Sequence, residues 1–137
     1  MALPLFRRPA VRSTKDRRAA ETRGRTAEAA CVAALEAAGW ALVAERFRPP
    51  RGQGAGEIDL IARRGAVLAF IEVKAREAEG DAAESVTPRQ QGRIARAAEV
   101  FLALHPELAE LDCRFDVMLV TPGTAPKHIE DAWRPGF

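Results

Sequence analysis

The sequence predicts an α/β domain with a mixed central sheet flanked by helices. Two segments carry apolar residues at helical spacing, and several shorter segments have the apolar patterns of strands. One of the helical segments separates the third predicted strand from the fourth, which implies a crossover and parallel pairing of those strands. A length of 137 residues suits one domain with a substantial core.

The first half of the chain is predicted as a basic arm, a helix and three strands. Charge and two prolines predict an arm over residues 1–20, ahead of a folded domain over residues 21–137. Apolar residues at helical spacing predict a helix over about Glu21–Ala38, which Gly39 ends. The predicted strands are Trp40–Phe47, Gly56–Ala62 and Ala66–Lys74, with a loop rich in Pro and Gly after the first and a tight turn around Arg64-Gly65 after the second.

The second half is predicted as a helix followed by a strand and a short tail strand. Thr87 and Pro88 form a typical N-cap and first-turn pair for a helix that runs to about Leu104. The apolar segment Cys113–Thr121 is a predicted strand, and His128–Trp133 a short last one. The predicted order is therefore α-β-β-β-α-β plus a tail.

Composition excludes several classes of protein. A hydrophobic fraction of 47% and a charged fraction of 29% are typical of a soluble globular protein. No window approaches the length of a membrane span, and the first residues do not form a signal peptide, so a cytoplasmic protein with no membrane partner is expected. Cys31 and Cys113 belong to no Cys/His cluster, so zinc is not predicted and both thiols are expected to be buried.

The segment GEIDLIARRGAVLAFIEVKAR, residues 56–76, places carboxylates in apolar strands. If the turn centres on Arg64-Gly65, Asp59 faces Phe70 and Glu57 faces Glu72, and the acidic groups share one face of the sheet. Like charges placed opposite each other are unfavourable unless a cation lies between them. Oxygen ligands without His or Cys favour Mg²⁺, or Mn²⁺ in its place.

Lys74 follows Glu72 by two residues and lies on the same face. One interpretation is a catalytic ammonium that orients or deprotonates an attacking water or balances charge on a phosphate. The other interpretation is an ion pair with Glu72 at the end of the strand. The spacing alone does not distinguish these alternatives.

The chain resembles the PD-(D/E)xK nuclease superfamily, and more closely an uncharacterised bacterial family of restriction-endonuclease-like proteins, the YraN-like family. That family is related in fold to archaeal Holliday-junction resolvases. The resemblance spans about Arg23 to Trp133, and the α-β-β-β-α-β order is that of the superfamily. It is carried by the motifs GRTAE (Gly24–Glu28), GEIDLIA (Gly56–Ala62), FIEVKAR (Phe70–Arg76), VTPRQQ (Val86–Gln91), CRFDV (Cys113–Val117) and HIEDAW (His128–Trp133).

The resemblance implies roles for particular residues. Asp59 and Glu72 are implied metal ligands, and Glu28 in the first helix is implied to reach the same ion or a second one. Lys74 is implied to activate or position water, and Gln91 to lie near the site. Two residues depart from the family pattern: Ile58 stands where the superfamily motif has proline, and Arg46 stands where the family often has asparagine. Considered without the resemblance, Glu28 is an ordinary glutamate in an early helical turn.

Arginines outside the hairpin are candidates for phosphate binding. Residues 1–25 hold eight basic residues, Arg25 among them, and two acidic ones, although the whole chain carries only +2. Arg89, Arg93 and Arg96 recur on one face of the second helix, where they are predicted either to track phosphates or to form a solvated surface. Asp116 is expected to pair with Arg114 or with an arginine of the second helix, and His128 is expected to be structural.

Three functions are compatible with these observations. The leading hypothesis is a Mg²⁺- or Mn²⁺-dependent endonuclease that hydrolyses phosphodiester bonds in branched, nicked or single-stranded DNA. The second is a protein that binds nucleic acid with the nuclease fold but without catalysis, and the third is a structural or partner-binding domain. Junction-cutting members of the superfamily form dimers, so the resemblance also raises a homodimer as an assembly to test.

Overall fold

The computed structural model describes residues 14–52, 54–75 and 86–135, and within its first helix only the backbone of residues 16, 17 and 19–23. The predicted element order α-β-β-β-α-β plus a tail strand is confirmed. The elements are α1 (Thr14–Ala37), β1 (Ala41–Phe47), β2 (Ile58–Arg64), β3 (Val67–Ala75), α2 (Pro88–Leu104), a 3₁₀ turn (Pro106–Leu108), β4 (Asp112–Val120) and β5 (Lys127–Trp133).

The five strands form one mixed sheet in the order β1-β2-β3-β4-β5. Strands β3 and β4 are parallel, with Phe70 opposite Phe115, and the other neighbouring strands are antiparallel. This confirms both the α/β class and the parallel pairing that the intervening helix α2 predicted. None of the helices in the described residues is long and apolar enough to cross a membrane.

Helix α1 begins earlier than the sequence predicted. It starts at Thr14 rather than near Glu21, because the residues before Glu21 are mostly strong helix formers and contain no proline or glycine. The last residues of the predicted arm over residues 1–20 are therefore helical. Residues 1–13 lie outside the described part of the chain, and the division into an arm and a domain over residues 21–137 stays a prediction.

The two helices cover separate apolar clusters of the sheet. The first cluster joins α1 to the sheet and contains Cys31, Leu35, Leu60 and Ile71. The second joins α2 to the sheet through Ile94, Ala97, Ala98 and Phe101, and it also contains Ile61, Phe70 and, contrary to the expected alternation, Ile58. Cys31 is fully buried as predicted, but the Cys113 thiol is exposed because it lies in the second residue of β4, at the end of the strand.

The β2–β3 turn fixes the register that the site depends on. The two turn residues are Gly65 and Ala66, and Gly65 adopts a φ of 60°, which suits the first position of a tight hairpin turn. Ile61, not Asp59, therefore lies opposite Phe70. The predicted register was wrong by one pair, but an even shift does not change which face a side chain occupies, so Asp59 and Glu72 still share one face as predicted. Continued along the strands, the register places Asp59, not Glu57, opposite Glu72.

Candidate metal and nucleic-acid site

Asp59 of β2 and Glu72 of β3 lie opposite each other in the register of the hairpin, and both side chains line one cavity. The backbone N–H of Val73 donates to Asp59 Oδ2 at 2.8 Å. Burial raises the pKa of Asp59, although the Val73 N–H opposes this shift. Burial, and then the charge of Asp59 and the hydrogen bond with it, raise the pKa of Glu72 to about 8. Because two carboxylates cannot hydrogen-bond without a proton, the pair holds one near neutral pH.

Lys74 lies beside this pair. Its Nζ is 3.9 Å from Glu72 Oε1, and the two side chains are 20% and 13% exposed. The ammonium lowers the pKa of both Glu72 and Asp59 and so partly offsets their burial. At this distance the contact is a loose ion pair, and Lys74 retains donors for a water or a phosphate. This geometry fits both interpretations of Lys74.

Glu28 of α1 is engaged by an arginine. Arg46 Nε donates to Glu28 Oε1 at 2.9 Å. Glu28 nevertheless lies beside the candidate site, because Arg46 stands opposite Asp59 in the β1–β2 pairing, between the pairs Glu45–Leu60 and Phe47–Ile58. The charges of Asp59 and Glu28 also add to burial in raising the pKa of Cys31 to about 12. Across the described residues, no three His, Cys, Asp or Glu side chains are close enough together to hold a metal ion. Of the three implied ligands, the structure brings Asp59 and Glu72 together and leaves Glu28 on Arg46.

Glu57 is also neutralised by an arginine. Its Oε2 accepts from Arg48 Nη2 at 2.9 Å. Glu28 and Glu57 are thus each bound to an arginine. Glu28 is bound to Arg46, the last residue but one of β1, and Glu57 to Arg48, the residue that follows β1. The Asp59–Glu72 pair itself has only the loosely placed Lys74 as a cationic contact among the ion pairs of the described residues.

A cavity of about 240 Å³ opens on the Asp59–Glu72 pair. Gln90, Arg93 and Ile94 of α2 form one wall of it. The predicted glutamine, Gln91, instead donates its side-chain amide to the Val86 carbonyl at 3.0 Å and does not line the cavity. The neighbouring Gln90 is a residue that sequence reasoning missed, since both glutamines occupy the first turns of α2 and only the rotation of the helix about its axis separates their positions.

Arg93 is the predicted phosphate-binding arginine that lies closest to the carboxyl pair. It lines this cavity and also an adjacent one of about 560 Å³. Residues of the β1–β2 loop, Arg48 and Arg51 among them, form the rest of the second cavity. The Gly56 N–H donates to the Arg93 carbonyl at 3.0 Å, and a Cβ on Gly56 would lie 3.3 Å from Arg93 Cβ. The glycine therefore permits the close approach of loop and helix that joins the two cavities.

The other three predicted phosphate-binding arginines line neither cavity. Arg89 and Arg96 lie on the exposed surface of α2, and Arg96 is 3.9 Å from Glu99. Arg25 is exposed on α1. Any contact between these side chains and nucleic acid is thus a peripheral one, outside the pocket that holds the carboxyl pair.

Asp116 belongs to a second polar cluster, which stabilises the fold. It is fully buried and accepts two hydrogen bonds of 2.9 Å from Arg114, one of 2.7 Å with His128 Nε2 and one of 2.9 Å from the backbone of Asp131. Burial alone raises the pKa of Asp116, but the bonds from His128, Arg114 and Asp131 together lower it. The predicted pairing with Arg114 is confirmed, and the ionised carboxylate is saturated with donors.

The residues of the Asp59–Glu72 pair fit a hard divalent cation. The donor atoms are carboxylate oxygens, and the proton that the pair holds is one that a cation displaces. Two protein carboxylates are few, but Mg²⁺ is usually bound by one or two carboxylates together with waters and substrate phosphates. Asp59 and Glu72 would hold the ion, with space for other ligands in the cavity that they share with Gln90 and Arg93.

Comparison with known families gives one match over most of the chain. The model of a family described as the uncharacterised protein family UPF0102 matches residues 27–120. The matched segment runs from the middle of α1 to the end of β4, and so includes Glu28, the hairpin and the first turns of α2.

Three relatives carry the same family name and no functional one. The relative from Paramagnetospirillum magneticum is 50% identical over 116 residues, which are 85% of this chain and 90% of that protein. The one from Maricaulis maris is 50% identical over 123 residues, 90% of this chain and 94% of that protein. The one from Parvibaculum lavamentivorans is 51% identical over 113 residues, 82% of this chain and 81% of that protein.

Among solved structures, the chain is similar to a Holliday junction resolvase from the archaeal hyperthermophile Archaeoglobus fulgidus. The TM-score is 0.49 with 17% sequence identity, over 78% of this chain and 76% of that one.

Proposed function

The chain belongs to the uncharacterised protein family UPF0102, and we propose that it is a Mg²⁺- or Mn²⁺-dependent nuclease that hydrolyses phosphodiester bonds in DNA. The observation that carries this proposal is the convergence of Asp59 and Glu72, with raised pKa values, on a cavity that also contains Arg93. Two carboxyl groups that can hold a cation and an arginine that can bind a phosphate line one pocket. Such a pocket suits a phosphodiester, whose negative charge a metal ion and the arginine neutralise together.

The carboxyl pair supports a metal site better than a structural role. A buried carboxylate that serves the fold is saturated with donors, as Asp116 is. Asp59 and Glu72 instead face each other, with one backbone N–H on Asp59 and a lysine 3.9 Å from Glu72. Such a pair destabilises the ionised state of the protein, and a divalent cation reverses this cost.

The chain supplies the groups around the ion. When bound, the cation would neutralise charge on the scissile phosphate and acidify a water. Arg93, at the opposite wall of the cavity, fixes a phosphate oxygen through its forked donors. Lys74 stabilises the developing negative charge or positions the attacking water, and fixed charges of this kind supply most of the rate in phosphate hydrolysis.

Cleavage assays test the proposal. Labelled duplex, flap, four-way junction and single-stranded DNA are incubated with the protein and Mg²⁺ or Mn²⁺. We expect cleavage of at least one substrate, and a loss of about a hundredfold or more in Asp59→Asn and Glu72→Gln. Glu107→Gln, at a glutamate of the 3₁₀ turn that lines neither cavity, is the matched control and keeps full activity. Unchanged cleavage by the Asp59 and Glu72 variants would overturn the proposal.

Lys74→Gln distinguishes the two interpretations of that residue. If Lys74 acts in catalysis, the variant loses cleavage but still binds Mn²⁺, because the oxygens of Asp59 and Glu72 hold the ion and Lys74 lies 3.9 Å from Glu72. If Lys74 only pairs with Glu72, the variant cleaves at the wild-type rate.

A protein that binds nucleic acid without cleaving it is the second candidate. The observation that favours it is that arginines hold two of the nearby carboxylates: Arg46 holds Glu28, and Arg48 holds Glu57, which lines the cavity with Asp59 and Glu72. The same substrates distinguish the two functions: retention of DNA in a gel-shift assay without cleavage in Mg²⁺ or Mn²⁺ supports the binding protein.

A further inference from the structure

Arg46 adopts an unusual backbone conformation for its residue type. Its φ of 51° lies in the left-handed region, which is strained for a residue with a Cβ. The alternation of burial along β1 breaks here, because Glu45 and Arg46 are both exposed. The chain then returns Phe47 to the α2 side, where its ring packs edge-on against Phe101 with centroids 5.1 Å apart.

This conformation aims the Arg46 guanidinium at Glu28. The Nε–Oε1 distance of 2.9 Å is that of a strong charge-assisted hydrogen bond. Arg46 is 41% exposed and Glu28 only 16%, so the arginine faces solvent and the glutamate faces the protein. Arg46 lies between Glu45 and Phe47, the partners of Leu60 and Ile58, and so stands opposite Asp59 in the β1–β2 pairing. The Arg46–Glu28 pair therefore lies beside the segment of β2 that carries Asp59.

We propose that Arg46 is a positioning residue that withholds Glu28 from the metal ion until a phosphate of the nucleic acid takes its place on the guanidinium. The inference rests on the proposed function. It makes Glu28 a conditional third ligand: on Arg46 when substrate is absent, and on the divalent cation when a phosphate has bound Arg46. No covalent bond changes. The Arg46–Glu28 ion pair is replaced by a contact between Arg46 and the phosphate and a contact between Glu28 and the cation.

The exchange is favourable because each member of the pair gains a better partner. A guanidinium binds a phosphate through two parallel hydrogen bonds, which suits it better than the single contact with Glu28. A carboxylate oxygen is a preferred ligand for Mg²⁺ or Mn²⁺. The Arg46–Glu28 pair competes with the Arg46–phosphate contact and with the Glu28–cation contact. Nucleic acid therefore raises the affinity for the cation, and the cation raises the affinity for nucleic acid by the same factor.

Calorimetric titration of Mn²⁺ tests this without any measurement of cleavage. Wild type, Arg46→Asn and Arg46→Asn/Glu28→Gln are titrated alone and with a 12-nucleotide phosphorothioate single strand. Asn is chosen because it tolerates the left-handed conformation and carries no charge. We expect Arg46→Asn alone to bind Mn²⁺ about fivefold more tightly than wild type, the factor that release from a partly exposed ion pair returns.

The coupling is the readout that a purely structural role of Arg46 would not change. We expect the strand to raise the Mn²⁺ affinity of wild type by a factor about fivefold larger than that for Arg46→Asn, in which Glu28 is already released. The double variant should show neither gain, since its residue 28 has no carboxylate to release. Arg46→Lys, which keeps the charge, should restore part of the coupling.

The outcomes separate this inference from the proposed function. Equal Mn²⁺ affinity of wild type and Arg46→Asn, or no effect of the strand on wild type, overturns the inference and leaves a two-carboxylate metal site intact. Failure of all the proteins to bind Mn²⁺ overturns the inference and the proposed function together. A gain in the double variant as large as in Arg46→Asn overturns the role of Glu28.

Discussion

The proton held by Asp59 and Glu72 makes the stability of the metal-free protein depend on pH. The pKa of Glu72 is raised from 4.5 to about 8 in the folded protein. A carboxyl with a raised pKa contributes stability that is fully present below the unfolded value of 4.5 and is lost as pH rises through about 8. The free energy of unfolding is therefore expected to fall across this range.

Glu72→Gln isolates the contribution of that carboxyl. Glutamine donates a hydrogen bond to Asp59 as the protonated acid does, but it cannot ionise. We expect the variant to exceed wild type in stability by about 1 kcal/mol or more at pH 9, which for a chain of this size is a few degrees in Tm, and to match wild type at pH 4. The measurement is denaturant unfolding in EDTA at both values; an equal difference at the two values would contradict the expectation.

At the scale of single residues, the sequence predicts the carboxyl pair but not its neighbours. Asp59, Glu72 and Lys74 follow from strand alternation, because alternation depends only on the parity of the register. The choice of Gln90 over Gln91 depends on the rotation of α2. The capture of Glu28 by Arg46 depends on a left-handed residue within a strand, and residue preferences in β1 give no signal of one.

At the scale of the elements, Asp116 fastens the edge strand β5 to β4. Its carboxylate joins Arg114 of its own strand to His128 and the Asp131 backbone of β5. Arg114 Cζ also lies 5.4 Å from the centroid of the Trp40 ring. The same cluster therefore extends to Trp40, the residue before β1. Loss of this one charge would leave the partly buried Arg114 and His128 facing an amide.

Asp116→Asn tests this role. We expect a loss of about 3 kcal/mol in the free energy of unfolding, because one member of a buried charge cluster is removed and its partners stay. Asp131→Asn is the matched control: Asp131 pairs with Arg134 at 2.8 Å on the exposed surface, and its loss should cost less than about 1 kcal/mol. Both variants should bind Mn²⁺ as wild type does. Equal losses in stability would contradict the assignment.

The hairpin shows which features of an element the sequence determines. The existence of β2, β3 and a tight turn follows from apolar alternation and a glycine. The turn position does not, because Arg64-Gly65 and Gly65-Ala66 both place Gly65 in the turn and a tight hairpin turn accepts a positive φ at either position. Only the pairing of Arg64 with Val67 decides between them. The early start of α1 at Thr14 has a similar cause: the segment has helix propensity but few apolar residues by which to recognise it.

At the scale of the whole molecule, the pocket joins the β2–β3 hairpin to α2. The carboxyl pair comes from the hairpin and Gln90 and Arg93 from α2, whereas Glu28 of α1 and Arg46 of β1 hold each other outside the lining of the cavity. The site therefore depends on contacts between segments that are far apart in sequence. The element order made such a pocket predictable, whereas the partner of each charged side chain depends on packing distances that no local pattern encodes.

The charge distribution along the chain predicts how nucleic-acid binding responds to salt. Residues 1–13, which lie outside the described part, contain Arg7, Arg8 and Arg12, and the whole chain carries only +2. Each phosphate that a basic side chain neutralises on a single strand adds about 0.7 to the slope of log affinity against log salt concentration. A chain that begins at Thr14 should therefore lose up to about 2 in this slope and bind single-stranded DNA more weakly at low salt, while cleavage at saturating substrate stays unchanged.

The matched control replaces the same three arginines with lysine, which preserves charge and therefore the slope, because the counterion effect depends on charge and not on the forked geometry of the guanidinium. The measurement is fluorescence anisotropy of a labelled strand between about 50 and 200 mM salt. An unchanged slope in the shortened chain would assign the electrostatic contacts to the folded domain. Arg93 lines the cavity of the carboxyl pair, whereas Arg89 lies on the outer surface of α2. The salt slopes of Arg93→Ala and Arg89→Ala would then show whether the phosphate contacts lie in the pocket or on that surface.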